Sequence, residues 1–143
     1  MSEVFHTEQK VRFPHVDDAR VVYYPQYLDY CHHAFEDFLE SGFGTSYATI
    51  FREEHVGFPA VHLDVDYSAP SVFGDTLRIA VTCTHLGTKS LTLRYRIARA
   101  RDGVLCADAR VTIACVAMQT FRAQEIPARF RAFFARHLEQ ENG

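Results

Sequence analysis

Two adjacent aspartates, Asp17 and Asp18, lie in a short loop that leads directly into a predicted helix beginning near Pro25. The first backbone N–H groups of a helix have no partner within it, and the helix dipole is positive there. Both effects stabilise an oxygen atom that gains negative charge. A carboxylate in the preceding loop can attack a carbonyl carbon or activate a water molecule toward it. The loop and helix start therefore predict a minimal acyl-transfer site. On these residues alone, the aspartates equally fit a role that only favours the helix electrostatically.

The helix that positions this loop is predicted over residues 25–41. Apolar residues recur there at the spacing of one helical face, and the opposite face is charged. Pro25 suits the first turn because its missing N–H would have had no intrahelical partner, and Gly42 suits the stop just past the last turn. The buried face is expected to consist of Tyr27, Tyr30, Cys31, Ala34, Phe35, Phe38 and Leu39. A shorter helix is predicted over residues 46–54.

The rest of the chain is dominated by strands. Alternating apolar and polar residues predict strands over residues 61–69, 77–83, 91–97 and 105–115, joined by short turns, which indicates antiparallel neighbours. Residues 5–13 predict a further strand at the N-terminus, and helical spacing returns after Pro127. We therefore predict a single α+β domain over residues 1–143, with a five-stranded antiparallel sheet wrapped around one long central helix. This is the hotdog arrangement.

Such a sheet leaves an edge strand unpaired. Sheets of this size usually protect an edge by pairing it across a two-fold axis, so a homodimer with a continuous sheet is expected. Two dimers joined as a homotetramer satisfy the same requirement.

The composition is that of a folded, slightly acidic protein. Lys and Arg total 15 against 18 Asp and Glu, so the formal net charge of -3 argues against a nucleic-acid binder. The sequence has no run of about 18 apolar residues that would span a membrane, and no targeting segment is visible. We therefore expect a cytoplasmic protein without a membrane partner. The four cysteines show no Cys-x-x-Cys spacing and are expected to be reduced core residues.

One segment resembles a known family. Asp17-Asp-Ala-Arg-Val-Val-Tyr-Tyr-Pro-Gln-Tyr27 is similar to the active-site signature of the 4-hydroxybenzoyl-CoA thioesterase family of hotdog proteins, roughly Asp-x-x-Gly-Ile/Val-Val-Tyr/Phe-Tyr/His-x-x-Tyr. The segments from Phe58 to Asp75 and from Leu86 to Ser90 are also similar to that family. The resemblance implies hydrolysis of a CoA thioester. It implies that Asp17 is the catalytic carboxylate, as nucleophile or general base, and that the backbone N–H of Tyr24 polarises the thioester carbonyl.

Coenzyme A carries phosphate groups, so its binding requires a few local cations. Family members place basic residues in comparable positions to Lys89, in a predicted hairpin, and to Arg129 or Arg131, at the start of the last helix. The residues that we assign to substrate binding are Arg20, Val22, Tyr27, His62, Lys89, Ser90 and Arg129. The sequence does not decide whether His15 and His62 line the site or form hydrogen bonds in the core.

Arg20 departs from the family pattern because it replaces a glycine. If this position requires a positive φ angle, the arginine is strained; otherwise its cation is free to contact a phosphate or carboxylate. This departure motivates an alternative function, a non-catalytic hotdog protein that binds an acyl or aromatic ligand.

Another hotdog branch uses a helical glutamate in place of the loop aspartate, and Glu36 and Glu40 are the corresponding candidates.

The remaining motifs favour no metal and no cofactor. His32 and His33 are adjacent, so their side chains point about 100° apart on a helix, and no third ligand has suitable spacing.

The leading hypothesis is an acyl-CoA thioesterase acting on an aromatic or a short- to medium-chain acyl group. The alternatives are an acyl-carrier-protein thioesterase, the ligand-binding protein and a hydratase or dehydratase. The sequence leaves the acyl group and the choice between dimer and tetramer open.

Overall fold

The computed structural model describes residues 2–140, so residue 1 and residues 141–143 of the predicted domain lie outside the described part. The main strands are β1 (Phe5–Lys10), β3 (Ala60–Tyr67), β4 (Thr76–Leu86), β5 (Ser90–Arg99) and β6 (Leu105–Ala114), and β2 (Val56–Gly57) pairs with β7 (Val116–Ala117). The helices are α1 (Gln26–Phe43), α2 (Tyr47–Glu54) and α3 (Ala128–Arg136). The five main strands form one antiparallel sheet in the order β1-β4-β5-β6-β3. This confirms the predicted α+β architecture. Within residues 2–140, no helix combines the length and apolar composition needed to cross a membrane.

Helix α1 buries the face that the sequence predicts. Every member of the predicted apolar set is buried, and Tyr30, Phe38 and Leu39 are completely inaccessible to solvent. Burial of each large apolar side chain contributes about 2 kcal/mol to folding. The helix therefore fills the concave side of the sheet, and its N-terminal end is fixed beside the candidate loop.

The prediction that the long helix stops before Gly42 is wrong. Helix α1 continues through Gly42, and Gly44 ends it with a left-handed φ of 65°. A side chain at position 42 would collide with the ring of Phe133 on α3. Glycine at this position therefore allows two helices to approach each other closely, which a periodic pattern within one helix does not reveal.

The N-terminal strand is shorter than predicted. Strand β1 ends at Lys10, and Phe13–His15 form a single 3₁₀ turn. Pro14 has no N–H to donate to a neighbouring strand, so the ladder does not extend through it. The chain turns here toward the loop that carries Asp17.

Strand β3 is an edge of the sheet, and its apolar side chains lack cover within the described chain. Val61, Leu63 and Tyr67 are 62%, 44% and 49% exposed. The sequence predicts these residues on the apolar face of a strand. Their exposure is the structural feature that the expected pairing of two copies would remove.

Candidate active site

Asp17 is the last paired residue before the turn of a small hairpin. Its backbone N–H donates to the carbonyl of Val21 at 3.2 Å, and the N–H of Arg20 donates to the carbonyl of Asp17 at 2.8 Å. The Asp17 carboxylate accepts a hydrogen bond from the N–H of Ala19 at 2.8 Å, which fixes its orientation. This geometry exposes a carboxylate on a tightly hydrogen-bonded turn. It suits a group that must act on a bound molecule.

Arg20 occupies the strained position in this turn. Its φ angle is 67°, in the left-handed region that favours glycine. A three-residue hairpin turn usually ends with a left-handed residue, so the turn type explains why the related motif has glycine here. Position 20 therefore requires a positive φ angle, and its arginine is strained. Within residues 2–140 the Arg20 guanidinium forms no ion pair or hydrogen bond that would offset the strain.

Replacing Arg20 by glycine is expected to stabilise the folded protein by about 1 kcal/mol, because glycine adopts the left-handed conformation without a steric penalty. The free energy of unfolding in urea measures the change. Arg20→Ala is the matched control, since it removes the cation and keeps the strain. An equal gain in both variants would contradict a backbone origin.

His15 anchors the base of the hairpin to α1. Its Nδ1 accepts a hydrogen bond from the N–H of Arg12 at 3.0 Å, so the hydroxyl of Tyr30, at 2.9 Å, donates to the same nitrogen. The carbonyl of His15 accepts from the N–H of Tyr23 at 3.0 Å. Tyr30 is fully buried on α1. Of the two roles open from the sequence, the structure shows hydrogen bonding for His15, which is half-buried and bonds to the fully buried Tyr30.

The stability of this anchor is expected to depend on pH. Burial, the largest effect, lowers the pKa of His15 below its ordinary value of 6.5. As the pH falls, the unfolded chain therefore binds a proton before the folded protein does. The contribution of neutral His15 to the free energy of unfolding is fully present above pH 6.5 and is lost as the pH falls through the lowered pKa. Urea unfolding between about pH 7 and pH 5 measures the loss. His15→Gln, which keeps an acceptor and does not titrate, should show a smaller loss; an identical profile would contradict the prediction.

The start of α1 presents one unpaired backbone donor. The N–H groups of Val22 and Tyr23 donate to backbone carbonyls, and Pro25 has no N–H. Among the described residues, the N–H of Tyr24 has no protein acceptor. The carbonyl of Tyr24 accepts a hydrogen bond from the hydroxyl of Tyr67 at 2.9 Å, which ties the helix start to the edge strand β3. A fixed, unpaired N–H at a helix start suits an oxygen that gains negative charge.

The loop between β3 and β4 contacts the segment before this helix start and holds it in place. The carbonyl of Ser71 accepts the Val22 N–H at 2.9 Å. Asp75 closes the loop by accepting hydrogen bonds from the N–H of Val72 at 3.0 Å and from Arg101 at 2.8 Å. Burial alone would raise the pKa of Asp75, but these hydrogen bonds and the Arg101 charge lower it. Asp75 therefore stays charged and holds the loop in place.

Two cavities lie between α1 and β3. The one at the helix start measures about 320 Å³ and is lined by Val22, Tyr24, Tyr27, Tyr67 and residues 68–70. The other measures about 350 Å³, and its walls include Leu28, Cys31 and Phe35 of α1, Tyr47 of α2, Leu63 of β3 and Tyr95 of β5. The two cavities follow each other along α1 and are together called the cleft; Tyr24, which carries the unpaired N–H, lines the first of them.

With this geometry established, comparison with known proteins identifies the family. The sequence profile of the thioesterase-like superfamily matches residues 11–134, which include the hairpin, α1 and every strand of the main sheet except β1. The chain belongs to this superfamily.

Relatives of this thioesterase-like protein are CoA thioester hydrolases. It is 34% identical over 118 residues to a 1,4-dihydroxy-2-naphthoyl-CoA hydrolase from Acaryochloris marina, covering 82% of this chain and 85% of the relative. A protein of the same name from Synechocystis is 31% identical over 123 residues, covering 86% and 88%. The crystal structure of a 1,4-dihydroxy-2-naphthoyl-CoA thioesterase from Synechocystis superposes with a TM-score of 0.83 at 28% identity, covering 93% of this chain and 96% of the other. These findings confirm the predicted hotdog fold and the predicted class of CoA thioester hydrolase.

Three of the predicted site residues of this thioesterase-like protein share a cavity. Val22, Tyr24 and Tyr27 line one cavity, and Asp17 and Arg20 lie on the hairpin that precedes it. Tyr27 is buried, and its hydroxyl is 2.8 Å from the hydroxyl of Ser71, so it supports the cavity wall.

Other predicted residues lie elsewhere in the protomer. His62 is paired with Thr112 on the sheet face opposite α1. Lys89 and Ser90 lie at the far end of the sheet, roughly 23 Å along β5 from the row that contains Tyr67. One protomer alone does not bring these residues to Asp17.

The two arginines at the start of α3 are already paired. Arg129 contacts Glu54 at 3.0 Å and lies over the ring of Phe43 at 4.4 Å. Arg131 donates to the carbonyl of Gly87 at 2.6 Å, which fixes the hairpin that carries Lys89. Lys89 forms no ion pair in the described part of the chain. Its charge is therefore more available to a bound anion than the charges of Arg129 and Arg131.

The helical acids and histidines form separate pairs. Glu40 accepts a hydrogen bond from the N–H of Tyr47 at 2.8 Å and so fixes the start of α2. His32 lies 3.5 Å from Glu36, and His33 lies 3.5 Å from Asp29. The two histidines thus face different carboxylates. In residues 2–140 no group of three potential metal ligands occurs.

Sequence reasoning missed Tyr67 and Tyr95. Both occupy apolar positions in alternating strands, where a tyrosine is indistinguishable from an ordinary core residue. Their hydroxyl groups acquire a position in the cleft only when the strands are assembled next to α1.

Proposed function

We propose that this protein hydrolyses the CoA thioester of an aromatic acid. The observation that carries the proposal is the unpaired N–H of Tyr24 at the start of α1, next to the hairpin that carries Asp17. The relatives named 1,4-dihydroxy-2-naphthoyl-CoA hydrolase support an aromatic acyl group, and the resemblance of the Asp17–Tyr27 segment to 4-hydroxybenzoyl-CoA thioesterases supports the same class.

The chemistry follows from these two groups. The thioester carbonyl oxygen accepts a hydrogen bond from the Tyr24 N–H, which stabilises the negative charge that develops as the carbonyl carbon is attacked. Asp17 either removes a proton from the attacking water or attacks the carbon itself. Direct attack forms an acyl anhydride on Asp17, which water then hydrolyses. In both routes the C–S bond breaks, coenzyme A leaves as the thiol and the free acid is released.

The site is proposed to be completed by a second copy of the chain. The exposed apolar residues of β3 favour antiparallel pairing of two β3 strands across a two-fold axis. Such pairing places the Ala60 end of one strand beside the Tyr67 end of the other. It covers the open side of the cleft and permits either a dimer or a tetramer of two dimers.

This pairing also explains how distant cations would reach the substrate. Ser90 is paired with Ala114, whose N–H donates to Pro59 next to the start of β3. Lys89 therefore lies at the end of the protomer that the two-fold axis brings to the Tyr24 end of the partner. There it would meet the phosphate groups of coenzyme A.

Release of free thiol from purified protein and a panel of acyl-CoAs tests the proposed function. The panel contains 1,4-dihydroxy-2-naphthoyl-CoA, 4-hydroxybenzoyl-CoA, and short- and medium-chain acyl-CoAs. Turnover highest on an aromatic thioester supports the proposal. Hydrolysis of only a carrier-protein thioester would support an acyl-carrier-protein thioesterase, and ligand binding without thiol release from any thioester would support a non-catalytic binding protein.

A further inference from the structure

The larger cavity of the cleft is lined mostly by apolar side chains, and His32, Tyr47 and Tyr95 are its polar members. Phe35, Leu63 and Val111 supply aliphatic and aromatic surface between α1 and the sheet. Tyr95 comes from β5, two strands in from the open edge, and belongs to the same cavity. Its side chain points toward α1, on the face shared with the buried Leu93.

The hydroxyl group of Tyr95 has no protein partner. Tyr95 is 3% exposed, and its oxygen forms no hydrogen bond with any residue in the range 2–140. By contrast, the hydroxyls of the other deeply buried tyrosines, Tyr27 and Tyr30, are both hydrogen-bonded. Every fully shielded side-chain oxygen or nitrogen among the described residues has a partner. The Tyr95 oxygen is therefore accessible, and the cavity is the space that it faces.

This hydroxyl remains a neutral donor. Burial, with smaller effects from Cys31 and Tyr47, raises the pKa of Tyr95 well above its ordinary value. A bound apolar molecule that covers this hydroxyl leaves it without a partner, at a cost of about 1–3 kcal/mol. A bound molecule of the same shape with a suitably placed acceptor avoids that cost.

Tyr95 and the proposed reaction centre occupy neighbouring positions along the sheet. Tyr95 is paired with Ala109 on β6, and Ala109 is paired with Val65 on β3, so the three residues form one row across the sheet. Tyr67, which binds the carbonyl of Tyr24, lies two residues beyond Val65, roughly 7 Å along β3. An acyl group whose carbonyl lies at Tyr24, and which runs along α1 from the first cavity into the second, would reach Tyr95.

We propose that Tyr95 is a specificity-determining residue whose hydroxyl forms a hydrogen bond with a polar substituent on the buried part of the acyl group. The inference rests on the proposed hydrolysis of an aromatic thioester and adds the group that distinguishes a hydroxylated ring from an unsubstituted one. A site built to bond a substrate hydroxyl discriminates against the analogue that lacks it, because the protein group is then left unpaired.

The test compares two thioesters, 1,4-dihydroxy-2-naphthoyl-CoA and 2-naphthoyl-CoA, on the wild-type protein and on Tyr95→Phe. This variant removes one oxygen and keeps the packing. We expect kcat/KM for the dihydroxy thioester to fall about tenfold, while kcat/KM for the unsubstituted thioester stays unchanged or rises. Tyr47→Phe is the comparison variant, because Tyr47 is a half-buried tyrosine of the same cavity; its effect should be smaller.

Binding of the free acids separates this inference from the proposed function. Calorimetric titration with 1,4-dihydroxy-2-naphthoate and 2-naphthoate requires no hydrolysis. If the wild type hydrolyses neither thioester, yet Tyr95→Phe selectively weakens binding of the dihydroxy acid, the proposed function fails and the role of Tyr95 stands. Equal changes for both ligands, or no change for either, would overturn the inference and leave Tyr95 with a role in packing or water binding only.

Discussion

Replacing Asp17 by asparagine is expected to lower kcat for hydrolysis of the preferred aromatic acyl-CoA by about 10³-fold. Asparagine has nearly the same shape, but it neither accepts a proton from water at neutral pH nor attacks a carbonyl carbon as a carboxylate does. Its amide oxygen still accepts the hydrogen bond from Ala19, so the hairpin is expected to keep its conformation. KM should change little, because Asp17 acts on the reacting atoms.

Asp18→Asn is the matched control for this experiment. Asp18 is adjacent and exposed, so the two variants lose the same charge from the same turn. Release of free thiol under saturating substrate measures kcat for both. If Asp17→Asn kept full activity, or if the two variants lost activity equally, Asp17 would not be the catalytic carboxylate.

Replacing Val61 by aspartate is expected to separate the proposed dimer and to remove most of its activity. Val61 lies on the edge strand β3 and is 62% exposed in the protomer. An unpaired carboxylate buried between two β3 strands costs about 3–5 kcal/mol, which raises the dimer dissociation constant by about 10²–10³-fold. Each separated protomer would lack the cover of its cleft. Light scattering measures the mass, and thiol release measures the activity.

Val104→Asp is the matched control. Val104 is also an exposed valine, at 39%, but it lies beside the turn that joins β5 to β6 rather than on β3. It should keep the wild-type mass and activity. A monomeric wild-type protein with full activity would contradict the shared cleft, and a dimeric Val61→Asp variant would locate the interface elsewhere.

The elements of this fold could be read from the sequence because their signals are local. A helical face repeats every three or four residues and a strand alternates every two, so the buried side of α1 and the main strands follow from short windows. The end of the long helix differs from the prediction because a residue far along the chain decides it. Gly42 looks like a helix stop, but the ring of Phe133 on α3 is what requires glycine there.

The candidate site also contains parts that the sequence predicts and parts that only the fold decides. The Asp17–Tyr27 segment is continuous in the chain, so its carboxylate and helix start could be recognised together. The left-handed conformation of Arg20 could only be stated as a condition, because residue type limits φ without fixing it. His62, Lys89 and Ser90 were assigned to the same site, but the strand register places them on another face or at the other end of the protomer.

The sequence by itself determined which segments fold as helix or strand, which faces are apolar and which loop carries the chemistry, since each depends on neighbouring residues. Only the tertiary structure decided that β3 is an exposed edge, that the hydroxyl of Tyr67 holds the carbonyl of Tyr24, and that the hydroxyl of Tyr95 faces a cavity. Each of these depends on strand order and register between segments far apart in the chain. The same alternating pattern is compatible with several such arrangements, and the packing of the assembled core selects one.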